Sequence, residues 1–518
     1  MLKLSIAMMV KNEEKHLYEC LESLTPLRKN INSELIVVDT GSTDKTVSIA
    51  KKFTDKLYFH KWNNNFSEMR NITIDYCKGE WIFIIDGDEV LEYPDDIISF
   101  FKKEKYNNYN TCFLTLKNLA SLNDLSKINY LNAPRIFKNS ETFKFVGSIH
   151  NQPIFKEPYK HFERPRLVHY GYIMDDEELM EKKFNRTSKL LKMELKNNPS
   201  NIYYWFQLSV TYSMHKDYGK AISPAETAYN LIFKNRKKII DYPHIILNLI
   251  RVYINNKQFE EGSILIEKYN HIFDNYLDFN YMGGSIKAKT KKYNEAINYY
   301  QKYLEIHEIY NTKLYKHDPK VSELSYNLID EVYKNLGFIY SYLNKYDKSF
   351  EFIKKIKSKV NIVSIMKVII TSSIKTKNIK FLRNIYNNTI LKESKDVVFL
   401  FEKFLENQKL NCNIDEQKRI CKEFQNVDTI YSNYNKIIFK NINNEPLKNL
   451  TPLIQEIDFY NVTTFYYDLI LIAIKNKADL SDIFYLDVDL AHYKIFPVLQ
   501  KNLKNLKAIQ LNISLKKK

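Results

Sequence analysis

The sequence predicts two architectures in succession: an α/β domain with a Rossmann-like, mostly parallel sheet, and then an all-α solenoid of tetratricopeptide type. In the first third of the 518-residue chain, short apolar segments alternate with helical segments, which favours parallel strands joined by right-handed crossovers. Beyond about residue 175 the pattern changes to long amphipathic helices in which small residues recur where paired helices approach closely. We therefore expect an α/β nucleotide-binding domain at 1–175, a helical linker at 176–200, helical repeats at 201–360 and a helical C-terminal region of degenerate repeats at 361–518.

The elements of the α/β domain follow from apolar runs and turn residues. The first strand, Lys3 to Val10, is followed by Lys11–Glu14, which is expected to open a helix. The second strand, Glu34 to Asp39, ends in a carboxylate, and the turn Thr40–Asp44 has the glycine, hydroxyls and acid that suit a helix N-cap. A third strand, another helix and a further strand complete the predicted order, at 56–60, 66–77 and 80–85.

The segment Glu80–Glu89 carries the strongest functional signal. Its apolar run ends in Asp86 and Asp88, with Gly87 between them. Clustered carboxylates at the end of a buried strand resist desolvation unless a cation neutralises them. Magnesium or manganese bridging to a nucleotide diphosphate is the obvious partner, and open α/β sheets bind ligands at this edge. The alternative is a strand-end turn with solvated acids.

Several ordered motifs together resemble a known family. They are V-K-N-E-E, I-V-V-D-T-G-S-T-D, R-N and G-E-W-I-F-I-I-D-G-D-E, and they resemble family 2 glycosyltransferases of the GT-A fold. The later segments 135–138, 145–152 and 169–172 are similar to the bacterial branch that fuses this domain to tetratricopeptide repeats. That branch includes flagellin glycosyltransferases and the S-glycosyltransferases of bacteriocins such as sublancin. The resemblance covers roughly residues 1–215.

The resemblance implies a metal-dependent, inverting hexosyltransferase. Its donor would be a UDP-sugar, UDP-GlcNAc or UDP-glucose, and its acceptor a protein, with Ser or Thr of flagellin placed first. Two alternatives stay open: transfer to a bacteriocin cysteine, and a non-catalytic repeat protein with a vestigial nucleotide domain. A nucleotidyltransferase would need a glycine-rich basic phosphate loop after the first strand, and the segment Lys11–Glu14 is not one.

The resemblance also assigns the metal and the catalytic groups. Asp88 is the direct metal ligand, with Asp86 as its partner at the metal or the ribose and His169 as third ligand; a lone histidine there is otherwise a hydrogen-bonded core residue. Related sequences often carry Glu where this chain has Asn151, and an amide cannot take a proton. The catalytic candidates are therefore His150 and Glu89 as base beside Asp88, unless the acceptor is a thiolate that needs little help.

The nucleotide-binding set comes from the same comparison of motifs. Asp39 would accept from the uracil or the ribose, although a plain strand end would need no ligand. Arg70 would pair with the diphosphate, with a surface ion pair to Glu68 or Asp75 as the alternative. The full expected set is Val10, Asn12, Glu13, Asp39, Ser42, Arg70, Asp86 and Gly87.

Four helical repeat units are expected within 201–360, and their tyrosine stripes at helical spacing are predicted to be core. A concave solenoid surface would hold a protein or peptide acceptor, and solenoids of this kind often form a homodimer. A second acid pair, Asp487 and Asp489, lacks a supporting pocket in the pattern and is set aside.

Composition narrows the setting. The net charge of +17 is spread along the chain without a nucleic-acid-binding signature, so no nucleic-acid partner is expected. No apolar run approaches the roughly 20 residues that span a bilayer, and no signal peptide is recognised. The five cysteines form no CxxC pair, which suggests reduced thiols and the bacterial cytoplasm.

Overall fold

The computed structural model describes residues 2–119, 128–171, 177–311, 324–426, 429–447, 464–469 and 472. By compactness the chain divides into two units, Met1–Ile329 and Asp330–Lys518. The α/β fold and the first helical repeats both belong to the first unit. The expected domain boundary at 175, the residue Tyr172 and the acid pair Asp487 and Asp489 lie outside the described residues.

The first unit begins with an α/β domain, in whose described residues there are ten strands and five α-helices. The strands are β1 Leu4–Val10, β2 Ser33–Asp39, β3 Leu57–Phe59, β4 Trp81–Ile84, β5 Glu89–Glu92, β6 Thr111–Leu119, β7 Ile128–Lys138, β8 Lys144–Val146, β9 Gln152–Ile154 and β10 Tyr159–His169. The helices are α1 Leu17–Ser23, α2 Thr25–Asn30, α3 Thr46–Ala50, α4 Phe66–Asp75 and α5 Asp95–Lys102.

Eight strands form one sheet in the order β3-β2-β1-β4-β7-β6-β10-β5, and β8 pairs with β9 separately. The β3, β2, β1 and β4 strands are parallel. The β7 strand is antiparallel to both β4 and β6, and β10 is parallel to β6 but antiparallel to β5. The polar loops after β1, β2 and β4 therefore gather at one sheet edge, as the alternating pattern predicts.

Both faces of this sheet are covered. Alternate residues of β1, such as Leu4 and Ile6, pack with Leu17 and Leu21 of α1 in one core. Ala7, which follows Ile6 and points to the opposite face, belongs to a second core with residues of β4 and β7. Because side chains alternate across a strand, a strand buried on both faces is largely apolar, as β1 and β4 are. The polar residue within β1, Ser5, is buried and donates a hydrogen bond to Glu34.

The first helix begins later than the sequence pattern suggests. Helix α1 starts at Leu17 rather than near Lys11. Asn12 has a left-handed backbone, with φ of 56°, and the amide N–H groups of Asn12 and Glu13 donate to Ser42 and Thr46. The residues after β1 are therefore used to bridge the neighbouring loop instead of continuing as helix.

Helices follow the α/β domain within the first unit. They are α6 Glu177–Asn197, α7 Ile202–Met214, α8 Tyr218–Lys234, α9 Pro243–Asn255, α10 Phe259–Phe273, α11 Leu277–Lys289 and α12 Tyr293–Asn311. Small residues lie where the paired helices approach: the Ser209 hydroxyl donates to the Ala221 carbonyl at 2.9 Å. A Cβ atom at Gly284 would lie 2.5 Å from the Tyr300 ring. Tyr300 and Tyr303 are fully buried, which confirms that the tyrosine stripes there are core.

The second unit is helical throughout its described residues. Its helices are α13 Ile329–Tyr342, α14 Tyr346–Ile353, α15 Lys359–Ser364, α16 Met366–Lys375, α17 Ile379–Asn388, α18 Lys395–Lys409, α19 Ile414–Phe424 and α20 Ile430–Ile442. Helices α13 and α14 approach closely at Gly337, since Ser349 donates to its carbonyl at 2.8 Å. The predicted fold class, an α/β domain followed by a helical solenoid-like region, is confirmed. No helix among the described ranges has the length and apolarity needed to cross a bilayer.

Candidate functional site

The loops after β1 and β2 form one rim of the candidate site. Asn12 Oδ1 accepts from the Thr43 N–H at 2.8 Å, and the Asn12 N–H donates to Ser42 Oγ at 2.9 Å. Asp39 Oδ1 accepts from the N–H groups of Gly41 and Ser42, both at 3.0 Å. These reciprocal bonds bring the predicted residues Asn12, Asp39 and Ser42 together at the C-terminal ends of adjacent parallel strands.

Asp39 has one carboxylate oxygen without a partner. Its side chain is buried, and its Oδ2 atom receives no hydrogen bond from the protein. A buried carboxylate oxygen left unpaired is costly, so a donor from a bound molecule would improve its situation. Ribose hydroxyls and a uracil N–H are donors of the required kind.

Asp86 is held by two arginines. Arg70 Nη2 donates to Asp86 Oδ1 at 2.6 Å, and Arg135 Nη1 lies 3.7 Å from Asp86 Oδ2. Burial opposes ionisation of Asp86, but the charges of Arg70 and Arg135 outweigh it and hold its pKa well below the ordinary range. The ion-pair partner of Arg70 is thus Asp86, whereas the sequence interpretations named the diphosphate, Glu68 and Asp75.

Glu89 is completely buried beneath this cluster. Its Oε1 accepts from Arg135 Nη2 at 2.5 Å, and its Oε2 accepts from the Asp86 N–H at 3.0 Å. Burial raises the pKa of Glu89 to about 7, and the charge of Asp86 adds to this effect while Arg135 opposes it. Both oxygens are therefore engaged within the protein, and a base role for Glu89 stays a prediction.

Arg135 was given no role from the sequence, although its motif was recognised. Its signal is a lone arginine in an otherwise apolar strand segment, A-P-R-I-F. A cation in such a strand is buried only when acids compensate it, and the neighbouring acid-rich turn supplies them.

Asp88 and His169 face each other beside this cluster. His169 Nε2 lies 3.5 Å from Asp88 Oδ2, and its Nδ1 lies 2.9 Å from Asn118 Oδ1. An amide oxygen only accepts, so Nδ1 carries the proton and Nε2 is turned toward Asp88. Burial lowers the pKa of His169, but the hydrogen bond to Asp88 and the nearby negative charges raise it overall.

Gly171 lies directly beside the Asp88 and His169 side chains. A Cβ atom there would lie 2.4 Å from Asp88 Oδ2 and 2.6 Å from His169 Nε2. Its carbonyl accepts from Lys183 Nζ of α6 at 2.9 Å, a contact that no local sequence pattern predicts. The space above the Asp88–His169 pair therefore depends on the absence of a side chain at position 171.

Glu13, Val10 and Gly87 complete the predicted set. A Cβ atom at Gly87 would lie 3.1 Å from Val10 Cγ1 and 3.2 Å from Glu13 Cγ, so the Asp-x-Asp turn packs directly on the loop after β1. Burial raises the pKa of Glu13 to about 7, and the charge of Asp88 adds to this effect. Val10 and Glu13 therefore lie next to the acidic turn that contains Gly87, as predicted.

His150 lies on a different element. It belongs to the loop between β8 and β9, with an exposed side chain and a left-handed φ of 47°. The neighbouring Asn151 has a buried Nδ2 atom without a hydrogen-bond partner. The structure thus places His150 on a separate loop from the strand ends that carry the acids, and its role as base stays a prediction.

The donor set fits a divalent cation that also binds a substrate. Within the described ranges, no three His, Cys, Asp or Glu side chains are grouped so that they could hold a metal by themselves. Asp88 and His169 offer a carboxylate and an imidazole, both suitable for manganese. Magnesium and manganese sites of this kind commonly use one or two protein ligands together with phosphate oxygens.

Comparison with known proteins agrees with this geometry. Residues 5–119 match the family model described as Glycosyl transferase family 2. The SPbeta prophage-derived glycosyltransferase SunS of Bacillus subtilis is 27% identical over 263 residues, covering 48% of this chain and 57% of that protein. A TPR repeat-containing protein of Synechococcus elongatus is 29% identical over 189 residues, covering 34% of this chain and 44% of that protein.

The matched segments thus cover only about half the length of each of these curated relatives. Among solved structures, residues 1–349 of S. aureus TarS are 15% identical, with 61% of this chain and 93% of that chain covered and a TM-score of 0.25.

Proposed function

We propose that this chain, whose N-terminal domain is a family 2 glycosyltransferase domain joined to TPR-like helical repeats, transfers a sugar from a UDP-sugar to a protein or peptide acceptor. One observation carries the proposal. The buried, unpaired Oδ2 of Asp39 and the Asp88–His169 pair lie at the same sheet edge. A nucleotide needs a hydrogen-bond acceptor for its nucleoside and a cation site for its diphosphate, and this edge offers both.

The donor half of the site is assigned to the loops after β1, β2 and β4. Asp39 would accept from the ribose or the uracil, and the segment Val10–Glu13 with Ser42 would line the nucleoside. Arg70, which donates to Asp86, would lie on the diphosphate side of the turn. The donor sugar, GlcNAc or glucose, is part of the proposal.

Asp88 and His169, with Asp86 beside them, would hold Mn²⁺ or Mg²⁺. Bound there, the cation supplies charge neutralisation for the departing UDP. The protein's own residues set the conditions for this: Arg70 and Arg135 keep Asp86 ionised, and Asn118 fixes the orientation of the His169 ring.

Chemistry would proceed as one displacement with inversion. The acceptor oxygen or sulfur forms a bond to the anomeric carbon as the bond from that carbon to the UDP oxygen breaks, and the acceptor proton passes to a base. His150 is our first candidate for that base, with Glu89 as the second. Precise alignment of the acceptor with the donor supplies much of the rate enhancement.

Two acceptor classes follow. Ser or Thr of a flagellin-like protein comes first by family resemblance. A cysteine thiol is the second, and a specific feature favours it: Glu89 is engaged at both oxygens and Asn151 is an amide. A thiol ionises more easily than a hydroxyl and depends less on a base. The five unpaired cysteines suit a reducing compartment, and we propose the bacterial cytoplasm as the site of action.

The test is release of UDP by the purified chain over a panel of UDP-sugars, with Mn²⁺ and with a chelator. Asp88→Ala should abolish metal-dependent release, whereas Asp55→Ala, an exposed acid of the same domain, should leave it intact. Failure of the wild-type chain to bind or cleave any donor would refute the proposal. It would favour instead an interaction protein whose partner capture survives Asp88→Ala.

A further inference from the structure

The loop Gly147–Asn151, here called the acceptor loop, joins β8 to β9 and carries His150. Two of its residues have left-handed backbones, Gly147 with φ of 95° and His150 with φ of 47°. A left-handed backbone is uncommon outside glycine, although histidine adopts it more often than most residues. The contacts that hold the neighbouring residues of this loop come from outside the sheet.

Helix α6 holds the loop by a hydrogen bond. Ser148 Oγ donates to Glu194 Oε1 at 2.6 Å. The Ser148 carbonyl accepts from the Phe66 N–H, at the start of α4, at 2.8 Å. Since α4 also carries Arg70, the loop is tied on one side to the donor site and on the other to the helices that lead into the repeats.

Helices α6 and α7 also hold the loop by packing. Ile149 is 3% exposed and belongs to the same core cluster as Leu191 of α6 and Tyr204 of α7. A Cβ atom at Gly147 would lie 2.9 Å from the Tyr204 hydroxyl oxygen. The residues on both sides of Ser148 are therefore seated on the first helices after the α/β domain.

We propose that Glu194 is a positioning residue for the acceptor: through Ser148 it fixes the loop that carries His150, so α6 and α7 are part of the acceptor half of the active site. The inference rests on the proposed transferase function. It follows that the helical region sets the geometry of the reacting groups as well as offering a surface for the acceptor. Small displacements of a positioned group are expensive in rate.

The donor half should be insensitive to Glu194. Apart from Arg70 on α4, the donor-binding residues lie at the ends of β1, β2 and β4 or in the loops that follow them. The acceptor loop contacts α4 through the Ser148 backbone carbonyl, whereas Glu194 contacts the Ser148 hydroxyl, so loss of Glu194 leaves the contact with α4 in place. Loss of Glu194 should therefore lower transfer to the acceptor while binding of the UDP-sugar and its slow hydrolysis by water continue. A purely structural role would lower both together.

Three full-length variants test this. Glu194→Ala removes the acceptor of the Ser148 hydrogen bond, and Glu194→Gln keeps an oxygen that can accept it. Glu178→Ala is the matched control, because Glu178 lies on the same helix in an exposed pair with Lys182. The introduced residues, alanine and glutamine, are good helix formers like the glutamate that they replace, so α6 is retained in each variant.

The probe is a set of synthetic peptides, each with one Ser, Thr or Cys, and the donor that the wild-type chain cleaves fastest. We expect Glu194→Ala to lower kcat/KM for the peptide about 10-fold to 100-fold, the scale of losing one hydrogen bond to a charged group. The KM for the donor and the rate of donor hydrolysis should stay unchanged. Glu194→Gln should recover most of the loss, and Glu178→Ala should match the wild type.

The results distinguish failure of this inference from failure of the proposed function. Equal peptide transfer by the wild type and Glu194→Ala, or equal losses of transfer and hydrolysis, would overturn this inference and leave the proposed function standing. Absence of donor cleavage and of transfer by the wild-type chain would overturn the proposed function and this inference with it. Transfer lost in Glu194→Ala and restored in Glu194→Gln would support it.

Discussion

Arg70 donates to Asp86 at 2.6 Å, so the first acid of the Asp-x-Asp turn is already paired with a protein cation. The second acid, Asp88, faces the His169 ring instead. The two carboxylates of one short turn thus have different electrostatic partners. Asp86 serves the protein's internal charge network, and Asp88 is the acid better placed for an external cation.

This asymmetry predicts different effects for two isosteric substitutions. Asp88→Asn should abolish metal-dependent UDP release and leave stability nearly unchanged. Asp86→Asn should also lower the free energy of unfolding, by about 1–3 kcal/mol, because the charged acceptor of Arg70 is lost. Urea unfolding followed by tryptophan fluorescence measures this, since Trp62, Trp81 and Trp205 all lie in the first unit. Equal stabilities of the two variants would contradict the asymmetry.

Arg135 should be a determinant of stability. Arg135→Leu leaves the fully buried Glu89 without its cation, and breaking a buried pair from one side costs about 3–5 kcal/mol. Arg166→Leu is the control, since its pair with Glu92 is about one-third exposed and should contribute no more than about 1 kcal/mol. Urea unfolding of both variants measures the difference. A cost for Arg135→Leu no larger than that of the control would show that Glu89 is neutralised in some other way.

Gly171→Ala should lower the proposed UDP release without unfolding the protein. The new methyl group would lie within 2.6 Å of both Asp88 Oδ2 and His169 Nε2, and displacement of these groups should lower the rate of UDP release about 100-fold. Gly219→Ala is the control, because nothing lies within 4 Å of its Cβ position. Circular dichroism and UDP release measure the two effects. Wild-type activity in Gly171→Ala would remove the Asp88–His169 pair from the proposed site.

Glu402 should make the stability of the second unit depend on pH. Burial raises the pKa of Glu402 from 4.5 to about 7, although hydrogen bonds from Tyr386 and Tyr466 oppose this shift and the charge of Glu406 adds to it. The folded state therefore binds the proton more tightly than the unfolded chain. The contribution of Glu402 to the free energy of unfolding is therefore largest below about pH 4.5, falls by up to about 1.4 kcal/mol per pH unit, and is lost above about pH 7.

Amide hydrogen exchange of α18, corrected for intrinsic exchange rates, measures this dependence because the second unit contains no tryptophan. Glu402→Gln cannot titrate, so its exchange protection should lose the slope between about pH 4.5 and 7. The exposed Glu393→Gln is the control and should keep the wild-type slope. A slope that survives in Glu402→Gln would assign the dependence to another group.

The sequence predicted the features that depend on local pattern. Strands β1, β2 and β4 and the shared edge of Asn12, Asp39 and Asp86 follow from apolar periodicity and from the rule that parallel strands end together. The helical repeats follow from small residues at positions where paired helices approach closely, such as Gly284.

The contacts that the sequence did not reveal are those between residues that are distant in the chain. Glu89 and Arg135 are 46 residues apart, as are Ser148 and Glu194. No periodicity encodes which side chains meet when strands β5 and β7, or a loop and α6, come together. The late start of α1 has the same origin, because Asn12 makes its hydrogen bonds to a loop 30 residues away.

Ile149 packs against α6 and α7, and this contact limits where the chain can be truncated without exposing a core. A cut at the end of the sheet would leave Ile149 and the Ser148 hydroxyl facing water and would expose the apolar side of Tyr204 and Leu191. A fragment meant to carry the whole α/β domain should therefore run through Lys234, the last residue of α8. By the same reasoning, exchanging the repeats of two related chains should preserve acceptor recognition only when α6 and α7 move together with their own acceptor loop.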